Sequence, residues 1–387
     1  MNTKWRLPKG VDEILPPAAW EFETLRRRVL DLFVSWGFDY VEPPVIEYLD
    51  ALLVGTGEDL DLQTLKVVDQ VSGKQLGVRA DMTSQAVRID AHSRKREGVH
   101  RLCYAGPVVF ANPRIAQSSR VPFKAGAEIF GSDDLAADAE VVSLMLAAVQ
   151  AAGVDNPVLL LGHMGISLTL IDALVEQSEQ DIDKAELFLA IQRKSEADIA
   201  ALLPETPLAA TLASLPSFMG GAEIIAQAAK HLENAPSGAL AALADLGVLV
   251  EKVSSDHPGI SVRIDVSELS GYGYHNGPVF AVYHPEHGQA LAQGGRYDGV
   301  GDAFGRGRAA TGFDMDLKCL LGAEADEEVI FAPWVSDAVR AERSAFIQNL
   351  RAQGQRVVAA LNEKESAPPG ILHKVCQVDG EWQVCEI

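Results

Sequence analysis

Gly294-Gly295-Arg296-Tyr297-Asp298-Gly299 is the stretch whose reading decides the fold. Taken alone it is a strand running into a turn. Glycines inside a strand mark a bulge or a close approach, and Asp-Gly is turn chemistry. Two other glycine-bearing blocks flank it. Upstream lies Gly271-Tyr272-Gly273-Tyr274-His275-Asn276-Gly277-Pro278-Val279-Phe280, and downstream Gly312-Phe313-Asp314-Met315-Asp316-Leu317-Lys318-Cys319. Strands are expected at Val262 to Val266 and Val279 to Tyr283.

Toward the N-terminus the period changes. Phe22, Leu25, Val29, Leu32, Phe33 and Trp36 share one face of a helix expected from about Ala18 to Trp36, with Gly37 as its stop. Glu42-Pro43-Pro44 follows, and two prolines argue for an edge or interface segment rather than a central strand. Next come a short strand (Leu76 to Arg79), a helix (about Met82 to Ala91), a strand (Arg101 to Phe110) and a turn-rich segment (Asn112 to Ser119). Val121 to Phe130 reads as extended, and Ala137 to Ala151 as a helix stopped by Gly153. From about 157 to 255, a strand (Val158 to Leu161) opens long Ala/Leu/Ile/Glu stretches broken at Pro204, Pro207, Pro216 and Pro236, read as a mainly helical insertion. The acidic stretch Glu324 to Glu328 reads as a linker. After it a strand (Val329 to Ala332), a helix (Asp337 to Ala352) and strands at Arg356 to Ala360, Lys374 to Val378 and Trp382 to Glu386 predict a small α/β domain. The expected division is 1–323 and 324–387.

In 387 residues, 54 acidic against 33 basic side chains give a net charge of -21. A field of that sign repels a nucleic-acid backbone, which proteins grip with Lys and Arg. The run Arg94-Lys95-Arg96 reads as a solvated helix end. The four cysteines, Cys103, Cys319, Cys376 and Cys385, show no zinc-like spacing, so neither a disulfide framework nor a zinc site is expected. His284-Pro285-Glu286-His287 reads as a polar turn. No apolar run reaches the ~18 residues of a membrane span, and a signal-peptide core is lacking. The expectation is a soluble cytoplasmic protein without cofactor, metal, membrane or nucleic-acid partner.

Several blocks together resemble the catalytic domain of class II aminoacyl-tRNA synthetases, and specifically the histidine enzyme. Gly37-Phe38-Asp39-Tyr40-Val41-Glu42-Pro43-Pro44-Val45-Ile46-Glu47 is similar to the first motif, which builds a symmetric dimer interface. Val78-Arg79-Ala80-Asp81-Met82-Thr83 resembles a segment whose acid meets the substrate ammonium; on residue type alone Asp81 reads as a helix cap rather than a ligand contact. Gly106 to Glu128 lies on the second motif without a gap, and Gly294 to Gly299 is a family block unaltered. The resemblance covers roughly Leu7 to Leu321. It implies an α+β fold: an antiparallel sheet flanked by helices, with a helical insertion and a small C-terminal α/β domain.

The same resemblance implies lost chemistry. The arginine that holds the ATP α-phosphate falls at Phe110, the one that assists histidine activation at Ser270, and the one over the γ-phosphate at Cys319, beside Lys318. Removing one such electrostatic contact costs about 10²–10³ in rate, so no synthetase activity is expected. The amino acid cleft is partly kept. Candidate histidine-binding residues are Asp81, Thr83, Lys124, Glu128, Tyr272, Tyr274, His275 and Tyr297, where Lys124 replaces a family glutamine and His275 a tyrosine. A dead synthetase relative with a short tail resembles the regulatory subunits of short-form ATP phosphoribosyltransferase. That resemblance implies a homodimer core, a catalytic-subunit partner and histidine as effector. The rivals are an orphan adenylate-forming ligase, opposed by Phe110 and Cys319, and a tRNA-binding module, opposed by the charge.

Overall fold

The structure is a computed structural model that describes residues 5–55, 58–113, 119–178, 182–269, 271, 273–322 and 329–387. The chain forms two compact units, Met1–Ile14 with Trp20–Leu321, and Leu15–Ala19 with Gly322–Ile387.

The strands run, in chain order, β1 (Asp39–Tyr40), β2 (Ile46–Tyr48), β3 (Leu65–Val68), β4 (Gln75–Val78), β5 (His100–Pro107) and β6 (Phe123–Phe130). There follow β7 (Val158–His163), β8 (Met219–Gly220), β9 (Ser261–Asp265), β10 (Pro278–Tyr283), β11 (Ala292–Arg296) and β12 (Ala310–Asp316). The second unit holds β13 (Val329–Ala332), β14 (Arg356–Ala359), β15 (His373–Val378) and β16 (Glu381–Glu386).

Nine strands of the first unit form one sheet in the order β1-β5-β6-β12-β11-β10-β7-β9-β8. Its pairs are antiparallel except β1 with β5 and β7 with β9. Strand alternation divides its side chains between two layers. Ala125, Ala127 and Ile129 of β6 and Phe313 and Met315 of β12 sit in the main core with Val141, Leu144 and Met145 of the helix Leu135–Ala151. Leu102 and Tyr104 of β5 face the other way and pack with Met82, Phe110 and Tyr297. That second face is the cleft.

The helix Ala18–Ser35 ends at Gly37, whose φ of +86° is the left-handed stop that glycine supplies most readily. Pro43 and Pro44 lie between β1, at the sheet edge, and β2, which pairs with β4 in a separate three-stranded sheet. The insertion is helical from Met164–Gln177 to Ser237–Asp256, apart from the two-residue β8, and Asp183, Ser195 and Thr206 cap its shorter helices. In the second unit, Ile330, Ala332, Ile347, Leu350, Val357 and Val375 make a small core between the sheet β14-β13-β15-β16 and the helix Asp337–Ala352.

Two expectations are corrected. The helix expected over Met82 to Ala91 is α-helical only over Thr83–Arg88 and widens into a π-helical turn, Ile89–Ser93. That turn carries Asp90, whose buried carboxylate accepts from Arg308 at 3.0 Å and pairs with His100 at 2.8 Å. The cysteines are also not all free, because Cys376 and Cys385 form a disulfide. The β15–β16 register sets Cys376 opposite Gln383, so Cys385 follows on the same face with the two Cα atoms 6.1 Å apart, inside the disulfide range. Nothing in a nine-residue spacing announces this; the hairpin pairing creates it.

Arg94 and Arg96 both pair with Asp39, at 2.9 and 3.2 Å, so the basic run is partly neutralised. Among the described residues no three His, Cys, Asp or Glu side chains cluster as metal ligands, and no helix is long and apolar enough to cross a membrane. The expected linker from Glu324 to Glu328 lies outside the described residues.

Candidate functional site

The cleft floor is β6 with a neighbour on each side. Register places Tyr104 and Asp314 opposite Gly126, and Leu102 and Gly312 opposite Glu128. Lys124, Gly126 and Glu128 alternate with core residues and therefore share the cleft face. The glycines make room there. A methyl group at Gly312 would lie 1.5 Å from Oε2 of Glu128, and one at Gly126 would lie 2.6 Å from the Tyr104 ring.

Into that space run four hydroxyl and carboxyl groups in one chain. Tyr104 donates to Oε1 of Glu128 at 2.8 Å and Tyr297 donates to Oε2 at 2.6 Å. With the Tyr104 proton so committed, the Thr83 hydroxyl donates to the Tyr104 oxygen at 3.1 Å. Glu128 is 1% exposed. Burial pushes its carboxyl up to about 8, against the two tyrosine hydrogen bonds that favour the anion. The pocket thus presents a carboxyl ready to ionise for a ligand that brings N–H donors or positive charge.

Asp81 closes one side. Its Oδ2 accepts the Thr83 backbone N–H at 3.1 Å, but the N-cap position itself is Met82, so Asp81 supports the helix start from one residue before the expected cap. Burial first, and the charge of Asp314 second, raise its proton affinity. Tyr274 stacks on Tyr297 with centroids 5.0 Å apart. Its hydroxyl is buried and has no hydrogen-bond partner among the described residues. His275 stands edge-on to Tyr274 at 5.2 Å. On that side opens a cavity of about 530 Å³, lined by Tyr274, His275, Asn276, Leu168, Asp298 and Asp302 among others.

Of the eight residues expected in the pocket, Asp81, Thr83, Glu128, Tyr274 and Tyr297 gather around one point. His275 faces the cavity, and Lys124 lies farther along β6, paired with Asp314 at 2.5 Å. Tyr272 lies outside the described residues, as does Ser270. Sequence reasoning missed Tyr104 and Asp314. The available signal was strand alternation, which sets Tyr104 on the face of Leu102 and Gly106. The block Gly294 to Gly299 proves to be half structural. Arg296 turns to the helix layer and meets buried Asp138 at 2.6 Å, while Tyr297 alone enters the pocket.

The other end of the cleft carries no free phosphate-binding fork among the described residues. Phe110 is 4% exposed and packs with Met82, Val108 and Tyr104. Cys319 donates its thiol to Asp316 at 3.4 Å, and burial with the Asp316 charge pushes that thiol up to about 11, so it is neutral. Lys318 reaches Asp12 at 3.1 Å, and Asp12 also accepts from Ser119.

A family model described as "Histidyl-tRNA synthetase" matches residues 10–320, and one described as "ATP phosphoribosyltransferase subunit HisZ C-terminal domain" matches residues 327–385. An ATP phosphoribosyltransferase regulatory subunit of Pseudomonas fluorescens (strain Pf0-1) is 45% identical over 388 residues, 98% of each chain. The chain belongs to the family of ATP phosphoribosyltransferase regulatory subunits. A second member, from Pseudomonas syringae pv. syringae, is 46% identical over 94% of this chain and 92% of its own. Among solved structures, a regulatory subunit/histidyl-tRNA synthetase from Bacillus halodurans superposes with a TM-score of 0.81 at 28% identity over 92% of both chains. Histidyl-tRNA synthetase from Nostoc sp. PCC 7120 shares the fold at 15% identity, with a TM-score of 0.78 over 99% of this chain and 97% of its own.

Proposed function

We propose that this chain is the non-catalytic regulatory subunit of a short-form ATP phosphoribosyltransferase in histidine biosynthesis. On this reading it activates the catalytic subunit, binds histidine in the cleft around Glu128 and transmits feedback inhibition. Its two domains are 1–323 and 324–387, and the first-motif segment pairs two copies of the chain in the cytoplasm. Family membership carries the assignment of the subunit. One contrast carries the mechanism: the amino acid end keeps Thr83, Tyr104 and Tyr297 hydrogen-bonded toward Glu128, while the nucleotide end offers a buried phenylalanine and a neutral thiol.

Feedback requires that histidine bind the assembly's states unequally, since a ligand shifts an equilibrium only by its differential affinity. The test is reconstitution. A short catalytic phosphoribosyltransferase subunit should co-purify with this chain, gain activity in the complex and become sensitive to histidine only there. A catalytic subunit equally active and equally inhibited without the chain would overturn the reading.

A further inference from the structure

An α-amino acid brings a carboxylate as well as an ammonium, and a carboxylate is held best by a charged donor. Lys124 is the cation on the cleft face of β6. It stands four residues from Glu128 on the same face, about 13 Å along the strand. An extended lysine side chain shortens that gap to roughly the length of one amino acid. The side chain does lean that way. Its Nζ meets Asp314, and Asp314 sits opposite Gly126, midway between Lys124 and Glu128. The hydroxyl-bearing end of the Tyr104 ring lies over that same glycine.

Building on the cleft reading above, we infer that Lys124 reads the carboxylate of the bound amino acid, and that Asp314 holds Lys124 in place until a ligand arrives. On binding, the ligand carboxylate replaces Asp314 as partner of Lys124, the ammonium lies toward Asp81, and the side chain points to Glu128. The exchange leaves neither charge stranded: Lys124, 16% exposed, trades one carboxylate for another, and Asp314, 21% exposed, is left to water and to the ligand ammonium. The field around Asp81 agrees with this layout. Asp314 raises its proton affinity and Lys124 lowers it, so both charges stand within reach of the group that receives the ammonium.

A plain cross-strand ion pair would make no distinction between ligands with and without a carboxylate. Calorimetric titration of the full chain with L-histidine and with L-histidinol, which carries a hydroxymethyl group in place of the carboxylate, separates the two. In Lys124→Gln the ratio of histidine to histidinol affinity should fall about tenfold or more, as expected for loss of a hydrogen bond to a charged group. In Asp314→Asn, with the competitor removed, that ratio should rise. Lys124→Arg keeps the charge and should keep most of the preference, and thermal melts confirm that each variant is folded. An unchanged ratio in folded Lys124→Gln that still binds histidine overturns this inference and leaves the cleft reading standing. Failure of the wild-type chain to bind either ligand overturns the cleft reading itself, and this one with it.

Discussion

The two ends of one cleft differ in how their polar groups are satisfied. Around Glu128, Thr83, Tyr104 and Tyr297 pass hydrogen bonds inward to a single buried carboxyl, and the glycines below leave space for it. At the other end the chain satisfies itself: Phe110 packs into an apolar wall, Cys319 donates to Asp316, and Lys318 is engaged by Asp12. The difference teaches that recognition and chemistry are separable. Binding an amino acid needs a shaped, hydrogen-bonded pocket. Activating it needs charges aimed at phosphates as they react. The two sets lie on different residues, so one can change without disturbing the other.

Histidine-dependent ATP–pyrophosphate exchange by the pure chain should stay at background, orders of magnitude below an active synthetase, because each missing phosphate contact removes about 10²–10³ in rate. Clear exchange would mean that the second end of the cleft still works.

The next effect concerns the first end and depends on pH. Glu128 has its folded carboxyl raised from 4.5 to about 8. Between those values the folded chain binds more protons than the unfolded one, so this group destabilises increasingly as pH rises through the window, and below 4.5 it contributes nothing. Glu128→Gln, which cannot ionise, should therefore be more stable than wild type at pH 8 by a few kcal/mol, because each tenfold difference in proton affinity corresponds to about 1.4 kcal/mol. The gap should close toward pH 5. Melting temperatures across that range check it, and a gap that does not vary with pH would show that Glu128 does not titrate there.

Asp81→Ala should weaken histidine binding by roughly tenfold or more, about 1.5–3 kcal/mol for a hydrogen bond to a charged group. Activation of the catalytic subunit should be preserved. Because Asp81 also accepts the Thr83 N–H, a loss of folding stability of about 0.5–2 kcal/mol should accompany it. A stability loss with unaltered affinity in calorimetric titration would reduce Asp81 to a helix cap.

Local signals were legible in the sequence, and pairings between distant strands were not. The strand Val329–Ala332 and the helix Asp337–Ala352 lie where hydrophobic period and breakers set them. Glu128 and Tyr297 were candidates because their blocks are specific. Tyr104, Asp314 and Asp12 escaped notice because each acquires its role through a partner 24, 190 or 306 positions away. Register decides such meetings, and no local window contains it. The Cys376–Cys385 bond belongs to the same class on a shorter scale, and so does the π turn at Ile89–Ser93, which holds Asp90 against Arg308.

Phe110 also bears on repair. Its ring is part of a packed apolar wall with Met82 and Val108. An arginine restored at this one position would bring an unpaired guanidinium into that wall, at a cost of several kcal/mol. That is a large share of the 5–15 kcal/mol by which a domain is stable. Restoring the arginine would therefore cost stability first, and a phosphate-binding group at this position would require the surrounding wall to be rebuilt with it.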